Sequence, residues 1–200
     1  PPPEYTYALL EGRSIAEFEL RPPRLFLKQD REVLSAQRCR LRAASDYARV
    51  KLVVRQTAAI PIAAAHDGTP FRNSLLAGFE LPDYPYALTL GLLNSALYRA
   101  LHLAGRRDAR QGAFPQVKVN HLRSLPAPPE SGVRAQIMGL AERATQHGLD
   151  AELRGALDRA VFELFAIAPE EQSEIIGFVR RLAPQAGLKA PLDAGQTGHS

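Results

Sequence analysis

"RVKLVVRQT", residues 49–57, decides how the rest of the chain is read. It is rich in Val and closes on polar residues, which predicts a β-strand. Downstream, "IPIAAA" at 60–65 and "TPFRNSLL" at 69–76 flank "HDGT". The Asp67-Gly68 pair is a hairpin-turn signal, so a second and third strand are expected on either side of it. Upstream, "RLFLKQ" at 24–29 predicts a short strand after Pro22 and Pro23. Residues 30–44 fit two patterns. As a helix, Val33, Leu34, Leu41 and Ala44 share a stripe, and as a strand Arg38, Arg40 and Arg42 share a face. Asp30 as a start cap favours the helix.

Further on, "YALTLGLLNSALYRALHLA" at 86–104 predicts one helix, with Leu90, Leu93, Leu97 and Leu101 on its stripe and Gly105 as its stop. Next comes "GAFPQVKVNHLRSLPAPP", residues 112–129. Val117 and Val119 alternate with Lys118 and Asn120, which predicts a late strand. Pro126, Pro128 and Pro129 then make a stiff extended exit. Three amphipathic helices follow. The first, 132–147, has the stripe Val133, Ile137, Leu140, Ala141, Ala144. The second, 149–166, has Leu149, Leu153, Leu157, Val161, Leu164, Phe165. The third, 169–183, has Ile175, Ile176, Val179, Leu182, and Pro169, Glu170 and Glu171 suit its N-terminus.

The expected fold is therefore α+β: a small mixed or antiparallel sheet domain with flanking helices, followed by a C-terminal three-helix segment. The expected division is a sheet-containing region at 1–129, a helical support region at 130–183 and a frayed tail at 184–200. The three stripes need a shared core, since helices this short are marginal alone, so 132–183 is expected to fold against the sheet.

The single cysteine, Cys39, excludes an internal disulfide and a cysteine-based zinc site, and it suits a reducing cytoplasm. No apolar run approaches the length of a membrane span. The start, "PPPEYTYALLEGRS", lacks the charged and apolar regions of a signal peptide. It also lacks Met, so the chain is expected to be a piece of a longer protein.

Charge is uneven. Residues 1–130 hold 18 Lys/Arg against 12 Asp/Glu, and residues 131–200 hold 7 against 9. Two clusters stand out: nine basic residues against three acids at 24–55, and six against one at 99–123. Such an imbalance points to a polyanion, usually nucleic acid, or else to a solvated Arg-rich surface. Arg outnumbers Lys by 21 to 4, which suits bidentate contacts to guanine edges and phosphates, although a GC-rich gene produces the same excess. Arg106, Arg107 and Arg110, in a glycine-flanked stretch without an apolar anchor, are expected on phosphates rather than bases.

Motifs for catalysis are lacking. The histidines at 66, 102, 121, 147 and 199 have no metal-binding spacing, with His66 expected in a turn and His102 on a helix surface. Ser74, Ser95 and Ser124 sit in no nucleophile elbow, and there is no glycine-rich phosphate loop. Tyr84 and Tyr86 are expected to pack rather than stack on bases.

Five segments, in order, carry a resemblance. They are "KLVVRQT" at 51–57, "FRNSLL" at 71–76, "LTLGLLNSAL" at 88–97, "FPQVKVNHLRSLPAP" at 114–128 and "LDRAVFELFAIAPEE" at 157–171. With "LLEGRSIAEF" at 9–18 as the opening, this order resembles the TaqI-like C-terminal specificity domain. That domain is the target-recognition part of bacterial DNA adenine methyltransferases and of fused restriction–modification enzymes. Lys51, Arg55 and Thr57 match its Lys-aliphatic-aliphatic-x-Arg-x-Thr strand. Leu93, Asn94 and Ser95 match its Leu-Asn-Ser helix. Phe114, Pro115 and Gln116 match its Phe-Pro-Gln strand, and Leu125, Pro126 and Pro128 match its Leu-Pro-x-Pro exit. Asp158, Val161, Phe162, Leu164, Phe165 and Ile167 match its closing helix.

The resemblance implies a sequence-specific reader of double-stranded DNA. Arg38, Arg40, Lys51, Arg55, Arg72, Arg106, Arg107, Arg110, Lys118 and His121 are its candidate DNA-binding residues. It also implies an upstream methyltransferase domain that binds S-adenosylmethionine through a glycine-rich site and acts through an Asn-Pro-Pro-aromatic loop. Neither motif occurs in these 200 residues. The chain alone is thus expected to be non-catalytic and cofactor-free, part of a cytoplasmic phage-defence enzyme. Two other readings stay open: a fragment of a type I specificity subunit, which also has a proline exit before a helix, and a protein–protein docking module.

Overall fold

Leu52, Val53 and Val54 are apolar in an unbroken run, and a run of that kind fits a strand covered on both faces. In the computed structural model, which describes residues 4–36, 41–105 and 115–183, that is where they lie. Strand β3 (Leu52–Arg55) is the middle of a three-stranded antiparallel sheet, between β4 (Ala63–Ala65) and β5 (Leu75–Gly78). Leu52 pairs with Ala65 on one side and Gly78 on the other. Leu52 and Val54 point into the main core with the helices, and Val53 points the other way, toward Leu10, Ile15 and Val50.

That second layer is the N-terminal segment. Strands β1 (Tyr7–Leu9) and β2 (Leu25–Leu27) form a small antiparallel sheet, with a 3-10 turn at Gly12–Ser14 between them. The short helix α1 (Arg31–Ala36) starts at Asp30, whose carboxylate accepts the Glu32 and Val33 N–H groups. Helix α2 (Ala44–Ala48) leads into β3.

The Asp67-Gly68 turn forms, with the Thr69 N–H on the Asp67 carboxylate, but it does not close a hairpin. Strands β4 and β5 each pair with β3 and not with each other. The connection must cross from one end of β3 to the other, and Phe71 bridges Leu10 on the way. The pairing of two strands depends on which partner buries their apolar residues, and β3 is the most apolar partner available.

The expected long helix is two. Helix α3 (Tyr86–Asn94) stops at Ser95, whose backbone turns extended (φ −75°, ψ 155°), and α4 (Ala96–Ala104) starts there. The Ser95 hydroxyl donates to Leu92 O and accepts from Tyr98 N–H, so one side chain closes the first helix and caps the second. Helix α3 is buried nearly all round, as an apolar helix inside a core must be. His102 on α4 is buried at 2 % exposure, not on the surface as its sequence position suggested. Leu101, placed on the stripe, is the exposed one, because the break at Ser95 rotates the second helix.

The expected strand at Gln116–Asn120 is reduced to one bridge, Thr57 with Gln116. Val117 is fully buried, and from Val119 the chain is helical (α5, Val119–Arg123). The His121 ring accepts the Lys118 N–H and so turns the chain out of the ladder.

The proline exit is pinned. Pro126 O accepts the Tyr98 hydroxyl at 2.6 Å, and the Arg134 guanidinium donates to Pro129 O and Pro128 O. Helices α6 (Val133–His147), α7 (Ala151–Leu164) and α8 (Pro169–Leu182) follow within a few residues of their expected bounds. Gly148, at φ 84°, ends α6 in a conformation that a side chain would strain. Ile137, Leu140, Leu153, Leu157 and Val161 join Leu52, Val54 and Leu88 in one hydrophobic cluster. At Gly91, α3 touches α6 so closely that a Cβ would stand 2.7 Å from Ile137 Cγ2. The fold is thus α+β, as expected, with the helices packed on the sheet. No described helix is long and apolar enough to cross a membrane.

Candidate nucleic-acid interface

Four chain segments lie side by side at the end of β3 where Arg55 sits. The Gln56 N–H donates to Ser74 O at 3.0 Å, and the Val117 N–H donates to Gln56 O at 2.7 Å. The Gly12 N–H donates to Ser74 Oγ at 3.2 Å. Arg13, Arg55, Arg72 and Lys118 therefore all stand within two residues of one hydrogen-bonded ladder. Arg13, Arg72 and Lys118 are exposed and Arg55 is half-buried. Among the described residues, no carboxylate lies within ion-pair distance of any of the four. Among the described residues, the result is a rim of four cations without a neutralising carboxylate.

Arg55 differs from the other three in how it is held. Its Nε–H donates to Thr57 O at 3.0 Å. Its stem lies along Gly12, close enough that a Cβ there would meet Arg55 Cγ at 3.6 Å. The side chain is thereby aimed before any ligand arrives, and among the described residues its two terminal nitrogens have no partner.

Lys51 stands at the other end of the same strand, roughly 13 Å away at about 3.3 Å per residue. With Arg49 it borders an open cleft of about 630 Å3 under the Phe79–Pro85 loop. Phe79 and Leu81 are more than half exposed there. The structure thus brings Arg55, Arg72 and Lys118 together and sets Lys51 apart. His121 is 5 % exposed, and its ring packs 5.6 Å from the His102 ring. Arg38, Arg40, Arg106, Arg107 and Arg110 lie outside the described residues. Sequence reasoning passed over Arg13, although it sits in the "EGR" of the opening motif.

Behind the rim runs a buried ion network. The tight turn at residues 16–19 carries Phe18 at φ 61°, a conformation costly for a bulky residue, so the surroundings must enforce it. The Phe18 ring is buried and its N–H donates to Ala63 O at 2.9 Å. Next to it, the Glu17 carboxylate lies 2.8 Å from Arg99 Nη1 on α4 and also pairs with Arg154 on α7. Arg99 further donates to Pro61 O and to the Asn94 side chain. The Asn94 amide in turn makes two bonds to the Ala63 backbone, 3.1 and 2.9 Å, and so ties α3 to β4. Asp158 on α7 accepts the Ala96 N–H at 2.7 Å.

Burial dominates the electrostatics here. It pushes the Arg99 guanidinium down to about 10 against the pull of Asp158. It lowers Arg154 in the same way, and it raises Asp158 despite the Ala96 N–H and the facing Arg154, Arg99 and Arg180. Acid and base both shift toward neutrality, so mutual attraction does not offset desolvation. A buried ion pair is by itself weak evidence of added stability.

A family model described as the TaqI-like C-terminal specificity domain matches residues 7–127, more than half of the chain. No curated protein matches it. The match takes in the whole sheet, the four rim cations and the Leu93-Asn94-Ser95 junction, and it ends within the proline exit.

Proposed function

This chain belongs to the TaqI-like C-terminal specificity domain family, and so is a DNA-recognition module of a methyltransferase-type protein; we propose that the rim at the Arg55 end of β3 is its reading surface. The observation that carries this reading is the difference in how the rim cations are held. Base readout needs a donor fork in fixed geometry, and Arg is the side chain that meets guanine O6 and N7 bidentately. Arg55 is fixed by Thr57 and Gly12. Arg13, Arg72 and Lys118 are exposed without fixed partners, which suits phosphates. Arg106, Arg107 and Arg110 precede Pro115 and Gln116 in the chain and add phosphate contacts in this reading, with Arg38 and Arg40 as further candidates. Lys51 and His121 fall outside the reading surface.

The parent is a DNA adenine methyltransferase whose upstream domain binds S-adenosylmethionine and flips the target base, or such an enzyme fused to an endonuclease. It works on duplex DNA in the cytoplasm, in defence against phage. This chain supplies specificity and takes no cofactor. A type I specificity subunit would carry a long helix after the proline exit, whereas α6 ends at Gly148 after four turns and folds back.

The test is selection from a randomised duplex pool. The wild-type chain is expected to enrich one short motif containing a G·C pair. Arg55→Ala is expected to lose preference at that pair while keeping the remainder. Enrichment of the same motif by both proteins would mean that Arg55 does not read bases.

A further inference from the structure

We propose that Arg154, on α7 and outside the residues that the family model matches, is a positioning residue for Arg55. The inference rests on the reading of Arg55 above and adds a second region of the chain to recognition. Arg154 pairs with the Glu17 carboxylate and also donates to Asn94 O at 3.3 Å. Glu17 heads the turn whose strained Phe18 is held from both sides. That turn is the tip of a hydrogen-bonded unit. Ala16 and Glu19 exchange backbone bonds, Ile15 bridges Leu20, and the Arg21 N–H donates to Ser14 O at 2.8 Å. At the base of the unit, the Glu11 N–H donates to Ser14 Oγ and Gly12 packs on the Arg55 stem.

Four residues therefore separate Glu17 from Gly12, which packs on Arg55, and Ser14, Ile15 and Ala16 among them are hydrogen-bonded or bridged within the unit. Ser14, Ile15 and Phe18 are all buried. Arg154 anchors the tip of the unit to a helix that has no DNA contact in this reading. Arg99 holds the same carboxylate from α4, so removing Arg154 leaves Glu17 paired and the turn in place, but cuts its tie to α7. The consequence falls on orientation before it falls on folding.

Arg154→Met tests this in the full chain, with Arg154→Lys as the milder second variant. Two readouts are needed. The first is the NMR signal of the Arg55 side-chain Nε–H without DNA, which reports how firmly Arg55 is held. The second is the ratio of affinities for the selected motif and a random duplex. In Arg154→Met the Arg55 signal is expected to broaden or exchange faster. The ratio is expected to fall about tenfold with the salt dependence unchanged, and Arg154→Lys is expected to recover part of it. An unchanged Arg55 signal in folded Arg154→Met overturns the inference. A loosened Arg55 with an unchanged ratio upholds the positioning role and instead overturns the reading of Arg55 as the base reader. If Arg154→Met fails to fold, the inference stands or falls on whether Arg154→Lys changes the Arg55 signal.

Discussion

At the scale of single residues, the molecule separates charges by what surrounds them. Among the described residues, the rim cations have no carboxylate within ion-pair distance, while Glu17, Arg99, Arg154 and Asp158 are drawn into the core and held by one another and by backbone groups. Asp158 shows which part of such an arrangement matters. Its carboxylate caps the otherwise unpartnered Ala96 N–H at the start of α4, and burial raises its pKa. A raised value means that the folded state holds the proton more tightly than the unfolded one. The proton-linked part of the group's contribution is then full below its ordinary value of 3.8 and is lost as pH rises through the raised value, while the bond from the Ala96 N–H remains. The hydrogen bond, rather than the charge, is the useful element. Asp158→Ala is expected to cost about 1–3 kcal/mol in denaturant unfolding at neutral pH. Asp158→Asn, which keeps an acceptor, is expected to cost clearly less. Equal losses would show that the negative charge is what the site needs.

At the scale of elements, local chemistry was legible where one signal acted alone. The Val-rich strand, the Asp30 cap, the Gly105 stop and the stripes of α6 and α7 stand as read, whereas on α8 Val179 is buried, Ile175 and Ile176 are half-buried and Leu182, placed on the stripe, is exposed. Elements were misread where a short-range signal competed with a long-range one. The apolar spacing of 86–104 runs straight through Ser95, so periodicity hides a break that depends on Ser95 bonding in both directions. Val117 and Val119 alternate like a strand, but only Val117 finds a buried place beside Gln56. The rim was half legible: Arg55, Arg72 and Lys118 were named, but that Lys51 lies at the far end of the strand follows only from its direction. The helix contacts give the sharpest test at this scale. Leu157 is 1 % exposed, so Leu157→Ala is expected to cost about 2–5 kcal/mol. Gly91→Ala, which brings a methyl within 2.7 Å of Ile137, is expected to cost about 1–3 kcal/mol even though alanine favours helix. Thermal or denaturant unfolding measures both. A loss below about 0.5 kcal/mol for Leu157→Ala would mean that the α7 stripe faces solvent or an absent partner rather than the helical core around Gly91 and Ile137.

At the scale of the whole molecule, three layers leave both ends of the sheet's strands open, each with exposed cations among the described residues. The N-terminal segment covers one face of the sheet and the helices cover the other, which leaves the ends of its strands as the open surface on which the proposed reading of DNA rests. The two ends differ. One carries Arg13, Arg55, Arg72 and Lys118, and the other carries Arg49 and Lys51 beside an apolar loop with Glu80. Removing a cation that neutralises one phosphate lowers the slope of log affinity against log salt by about 0.9. The most direct measurement is therefore that slope for the wild-type chain, an Arg13/Arg72/Lys118→Ala triple variant and an Arg49/Lys51→Ala double variant, on the selected motif and on a random duplex. The triple variant is expected to flatten the slope by up to about 2.7 on both duplexes while the double variant leaves it in place. A wild-type slope in the triple variant, with a flattened one in the double variant, would contradict it and put the DNA at the opposite end of the strand.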